Sequence, residues 1–171
     1  AAATYTATFA INSYTITATA GTGGSVTGSG SYNYGATATL TATPNTGYSF
    51  VKWSDNNTNA SRSITVSSTA TYTATFAINS YTITATAGTG GSVTGSGSYN
   101  YGATATLTAT PNTGYSFVKW SDNNTNASRS ITVSSTATYT ATFAINSYTI
   151  TATAGTGGSV TGSGSYNYGA T

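Results

Sequence analysis

The chain has no histidine, cysteine, methionine, glutamine or glutamate among its 171 residues, and only 4% of them are charged. Each absence removes a class of chemistry. Without imidazole, no side chain titrates near neutrality in its unperturbed state. Without cysteine there is neither a thiolate nucleophile nor a disulfide. Asp55 and Asp122 are the only side-chain carboxylates, so a paired-acid site would have to be assembled from distant parts of the chain. Thioesters and esters that need glutamine are excluded. The expectation is a protein that is not an enzyme and has no cofactor and no metal.

Positive charge is equally scarce: Lys52, Lys119, Arg62 and Arg129 stand against the two aspartates for a net +2. Nucleic-acid binding needs clustered basic residues along one face, so no nucleic-acid partner is expected. No apolar run approaches the ~20 residues of a membrane span, and the N-terminus lacks a charged stretch followed by an apolar one. No membrane span is therefore expected in this segment. A cysteine-free composition rich in Thr, Ser, Gly, Tyr and Asn fits an extracellular setting, on a cell surface or secreted.

What the sequence has is repetition. Residues 3–69 return letter for letter as 70–136 and again from 137 to 171, so Tyr5, Tyr72 and Tyr139 stand 67 residues apart. A period of that length is one small domain per copy, and such arrays work through reach or multivalency. The expected division is residues 1–11 as the final strand of a preceding repeat, 12–78 and 79–145 as repeat domains, and 146–171 as a partial one. Ala1 and Ala2 stand where the period calls for Ser and Thr, as at Ser68 and Thr69, and residue 171 falls partway through a copy. A stretch of a longer array is the expectation. Identical copies imply recent duplication, homogenisation or design.

Within one copy the grammar is that of strands. Thr37, Thr39, Thr41 and Thr43 alternate with Ala38, Leu40 and Ala42, a period of two that marks a half-buried strand. The same alternation runs from Tyr14 to Ala20, from Ser63 to Val66 and from Thr71 to Phe76. Clusters rich in Gly, Pro, Asn and Asp separate these runs, and no stretch has helical apolar spacing. Tyr48 and Phe50 share one phase but Val51 and Trp53 the other, which predicts burial on both faces or a bulge near Phe50. The large apolar set, including Ile16, Leu40, Phe50, Val51, Trp53, Val66, Phe76 and Ile78, makes an adequate but thin core for a domain of this size.

The join between copies has neither Gly nor Pro, and the apolar phase flips at Asn79-Ser80. One strand runs almost directly into the next with a kink at that pair, a junction that resists bending. The fold class expected from the residues is all-β: a tandem array of identical small domains, β-grasp-like or small sandwiches, with no helix.

The ordered succession of Tyr14-Thr-Ile-Thr, Gly24-Ser-Val26, Gly28-Ser-Gly30, Tyr34-Gly35-Ala36, Leu40-Thr-Ala42-Thr-Pro44, Gly47-Tyr48-Ser-Phe50 with Trp53, and Thr73-Ala74-Thr75-Phe76 resembles the divergent internalin B-repeat. It covers the whole copy. The resemblance implies a small β-rich, β-grasp-like module that serves as stalk, spacer or adhesion unit on bacterial surface and secreted proteins. It brings no catalytic residues with it.

Four tyrosines, Tyr32, Tyr34, Tyr99 and Tyr101, are the candidate glycan contacts, because Gly and Asn flank them; the plainer reading is that tyrosine covers exposed sheet well. Trp53 and Trp120 fit a core better than a sugar platform, and an adhesin would have Tyr32, Tyr34 and Trp53 in one exposed groove. Asn56, Asn59, Asn123 and Asn126 head N-x-S/T sequons and are the candidate glycosylation sites. Asp55, Asn57 and Asn59 match the opening of a calcium loop, but Ala60 and Val66 stand where its Gly and Glu belong, so a polar hairpin tip is expected. Lys52 with Asp55 or a nearby Asn raises an isopeptide cross-link against a solvated charge pair.

Together these features predict a structural extracellular protein: a semi-rigid stalk or fibre of tandem β-domains on a bacterial-type surface. Its partners are the neighbouring repeats, with lateral self-association into filaments through thinly guarded edges. The alternative is a multivalent adhesin whose copies bind glycan or a host protein.

Overall fold

The computed structural model describes the whole chain, Ala1–Thr171. It is all-β without a helix and falls into two compact units, Ala1–Asn79 and Ser80–Thr171. Unit 1 contains β1 (Ser13–Ala20), β2 (Gly24–Thr27), β3 (Gly30–Asn33), β4 (Thr37–Pro44), β5 (Tyr48–Trp53), β6 (Ser61–Thr65) and β7 (Ala70–Ile78). They form two sheets, ordered β3-β1-β7-β5 and β2-β4-β6. Every pairing is antiparallel except β1 with β7, which run parallel with Ile16 opposite Ala70 and Ala20 opposite Ala74. The strand that closes the copy thus pairs with the strand that opens it.

Period-two alternation does what it must between two such sheets. On β4, Ala38, Leu40 and Ala42 are buried while Thr37, Thr39 and Thr43 are exposed. Ile16, Ala74 and Phe76 of the first sheet meet them with Trp53 and Val66 in one core, a small sandwich. Phe50 sits between Trp53 and Phe76, with ring centroids 5.8 and 5.9 Å away.

The conflicting phases on β5 are resolved by a bulge. Register shifts between Phe50 and Lys52 where β5 pairs with β7, so the extra residue turns Tyr48, Phe50 and Trp53 all inward. Val51, expected in the core, is the residue left out, 41% exposed; Ile78, at the end of β7, is also exposed. The turn before β5 explains Gly47: its φ is +80°, and the Tyr48 N–H bonds the Asn45 carbonyl at 3.0 Å, the geometry of a turn that requires φ > 0 at its third residue.

Unit 2 repeats this topology with β8 (Ser80–Ala87), β9 (Gly91–Thr94), β10 (Gly97–Asn100), β11 (Thr104–Pro111), β12 (Tyr115–Trp120), β13 (Ser128–Thr132) and β14 (Ala137–Ile145). Its sheets are β10-β8-β14-β12 and β13-β11-β9, around Ile83, Leu107, Trp120, Val133 and Phe143. Then β15 (Ser147–Ile150) and β16 (Gly164–Asn167) form an antiparallel pair with Tyr148 opposite Tyr166. The phase flip at Asn79 is present: Ala74 and Phe76 are buried before it, Ile83 after it.

Residues 1–12 carry no strand, and Tyr5 and Phe9 are more than 90% exposed. The corresponding strand β7 takes both its partners, β1 and β5, from earlier in its own copy.

Candidate functional site

The structure gives the candidate tyrosines different surroundings. Tyr32 lies on β3 opposite Tyr14, half-buried against the core, and its hydroxyl donates to the Gly28 carbonyl at 2.9 Å. Tyr99 repeats this with Gly95 at 2.8 Å. Tyr34 is open, 59% exposed, with its ring edge-on to Tyr14 at 6.4 Å; Tyr101 is half-buried. Trp53 is fully enclosed and its Nε1–H donates to the Asn59 carbonyl at 3.0 Å, so it cannot join Tyr34 in an exposed groove.

The four candidate sequon asparagines sit on the loops after β5 and β12, and all are exposed. Asn56 and Asn123 have φ of +66°, a conformation asparagine tolerates better than most residues. Their Oδ1 atoms accept from Lys52 and Lys119 Nζ at 2.8 Å. The D-x-N-x-N spacing that suggests a calcium loop has another use here. Asp55 Oδ1 accepts the Asn57 N–H at 3.3 Å, and Asn57 Oδ1 accepts the Asn59 N–H at 2.9 Å. Two successive side chains each bond the backbone two residues on, which folds the loop and delivers the Asn59 carbonyl to Trp53. The same bonds recur at Asp122, Asn124 and Asn126.

Asp55 pairs with Arg62, not with Lys52. The Arg62 Nη1 donates to both carboxylate oxygens at 2.6 Å, and the guanidinium lies over the Tyr72 ring at 5.0 Å. Arg62 stands opposite Leu40 on the inward side of the β4–β6 pair, so its side chain is only 13% exposed. The buried acid that an isopeptide-forming lysine needs is therefore missing, since Asp55 is surface-facing and already engaged.

This ion pair links stability to pH on the acid side. The Arg62 hydrogen bond holds the Asp55 carboxyl below its ordinary value; the small burial of the group opposes the shift, and the Asn57 N–H supports it. Asp122 is held the same way by Arg129. A depressed folded-state value adds stability that is complete above the unfolded aspartate value and is lost as pH falls through the folded one. With no His or Glu in the chain, the unfolding midpoint should be flat from about pH 8 to about pH 5 and fall below about pH 4. Replacing both aspartates by asparagine should flatten that acid limb, as read by thermal melts across pH. A midpoint that moves between pH 5 and 8 would contradict this origin.

Both sheets turn hydroxyls outward. Across β2, β4 and β6, Thr43 faces Ser25, Thr41 faces Thr27 and Ser61, Thr39 faces Ser63, and Thr37 faces Thr65. On the other sheet Thr19 and Thr73 hydroxyls lie 2.7 Å apart. The β2-β4-β6 face is uncharged, and the other sheet adds Lys52 opposite Thr75.

Two units with one topology, one aromatic core and one Asn-rich loop each agree with a comparison against known families: the profile of the divergent InlB B-repeat domain matches residues 14–80 and again 81–147. The chain belongs to that family. InlB B-repeats are a non-catalytic family typical of bacterial surface proteins, and here they stand in tandem. No curated protein and no solved structure matches the chain.

For this InlB B-repeat, reasoning from sequence missed the Asp55–Arg62–Tyr72 cluster. The available signal was that Asp55 and Arg62 flank the Asn-rich loop, so a hairpin return through β6 brings them together.

Proposed function

We propose that the chain is a non-enzymatic, extracellular spacer: tandem InlB B-repeats that form a semi-rigid stalk on a bacterial-type cell surface. The observation that carries this reading is the single residue, Asn79, between β7 and β8, which leaves no length for a flexible linker. Hydroxyl-covered outer faces support exposure to water without a docking surface. A stalk is favoured over a laterally paired filament because three of the four sheet edges are guarded: β2 and β3 have four residues each, and β5 carries both its bulge and Lys52. The adhesin reading retains Tyr34 as an open aromatic, whereas Tyr32 and Trp53 are engaged inside the copy.

The test is a series of arrays of increasing copy number displayed on cells and imaged by electron microscopy. Each added copy should lengthen the projection by a constant ~30 Å, the diameter of a globule of this size. Length that stops growing in proportion would remove the stalk. Binding to a glycan array that disappears in Tyr34→Ala would favour the adhesin instead.

A further inference from the structure

Within unit 2, Asn146 is the one residue between β14 and β15, and its polar groups point two ways. Its backbone N–H donates to the Gly114 carbonyl at 2.8 Å, and its Oδ1 accepts from the Ser116 hydroxyl at 2.5 Å. Its own carbonyl accepts the Tyr168 N–H at 2.7 Å. Gly114 and Ser116 belong to the complete copy, whereas Tyr168 belongs to the one that follows. The Tyr168 ring lies against the bare Cα of Gly114, where any Cβ would collide with it.

The bonds on both sides of this joint recur in unit 1. In unit 1 the Asn79 N–H meets the Gly47 carbonyl at 2.8 Å and Ser49 donates to Asn79 Oδ1 at 2.6 Å. At the other end of that unit the Tyr34 N–H meets the Asn12 carbonyl at 2.8 Å. Both sides are held by hydrogen bonds inside unit 1, the rigidity that preorganised surfaces need.

We propose that the surface formed by Gly114, Ser116 and Asn146 is a docking socket whose partner is the tyrosine of the following copy, and that the seated ring fixes the angle between successive copies. The proposal rests on the stalk reading and supplies its joint. It also assigns a second role to Gly114. Its φ of +80° is one that asparagine also accepts at the third position of such a turn, so turn geometry alone does not demand glycine. The seated ring does.

The chain has no cysteine, so Ser130→Cys and Ser165→Cys accept two nitroxide labels, one on each side of the joint, and double electron–electron resonance reads the distance distribution. The unaltered joint should give a narrow distribution, and Tyr168→Phe should keep it because the ring and backbone N–H remain. Tyr168→Ala and Gly114→Asn should each broaden it at least twofold, with Trp120 emission unchanged because Tyr168 lies outside that core. In the Tyr168→Ala background, Gly114→Asn should add nothing. A distribution as narrow in Tyr168→Ala as in the parent overturns the socket and leaves the stalk standing. A parent distribution that is already broad overturns both.

Discussion

Trp53→Ala is expected to unfold unit 1 while unit 2 stays folded. Trp53 is completely buried, and its Nε1–H holds the Asn59 carbonyl at 3.0 Å. Truncating a core tryptophan costs about 3–5 kcal/mol through lost burial and a cavity that closes only in part. The orphaned carbonyl adds about 1 kcal/mol. A domain of this size holds only about 3–10 kcal/mol in total, so most or all of it is consumed. Where unit 1 survives, its melting midpoint should drop by about 20 °C. Unit 2 builds its core from its own residues, and Trp120 becomes the sole indole to report on it. Circular dichroism should lose the strand signal of unit 1 while Trp120 emission remains that of a buried indole. An unchanged midpoint for unit 1 would mean that the Phe50–Trp53–Phe76 core does not hold the copy together.

Gly28→Ala should be nearly as damaging, for a backbone reason. Gly28 lies where the chain leaves β2 in one sheet for β3 in the other, with φ of +105°. A Cβ there would overlap the Thr39 carbonyl oxygen and stand 3.0 Å from Leu40 Cα. Neither neighbour can yield, since Thr39 and Leu40 lie mid-strand on β4. Left-handed strain of about 1–2 kcal/mol then adds to an overpacking cost of about 1–3 kcal/mol, for a loss of about 3 kcal/mol. Gly35 isolates the first part: its φ is +79°, but nothing lies within 4 Å of its missing Cβ. Gly35→Ala should therefore cost only the strain. Denaturant midpoints separate the two, and equal losses would show that the close approach of β4 contributes nothing.

Much of this was legible because a two-residue period says which side of a strand is wet. Thr37 to Thr43 declare one outward face of β4 without reference to any partner, and the same holds for Thr71, Thr73 and Thr75 of β7. Asn79 is equally plain, since the apolar phase cannot change without a break. On β5 the pattern contradicted itself, and only the shift between Phe50 and Lys52 decides for the bulge and sends Val51 outward.

Pairing was not legible. Strands written in the same Thr and Ala alphabet carry no record of their neighbours, so the parallel contact of β1 with β7 does not follow from either strand. Nor did the spacing of Asp55, Asn57 and Asn59 reveal that their oxygens serve the backbone, because side-chain-to-backbone bonds and metal ligation ask for the same alternation. The tyrosine hydroxyls of Tyr32 and Tyr99 found carbonyls in their own copies, a choice that depends on where Gly28 and Gly95 are brought by the crossing between sheets.

The proposed stalk requires each 67-residue copy to close on itself and to be joined to the next too tightly to swivel. Small-angle X-ray scattering on arrays of increasing copy number tests both halves at once. The account predicts a maximum dimension that rises linearly by about 30 Å per copy, with each copy scattering as a compact globule. A dimension that grows with the square root of copy number, as in a chain of free joints, would contradict it.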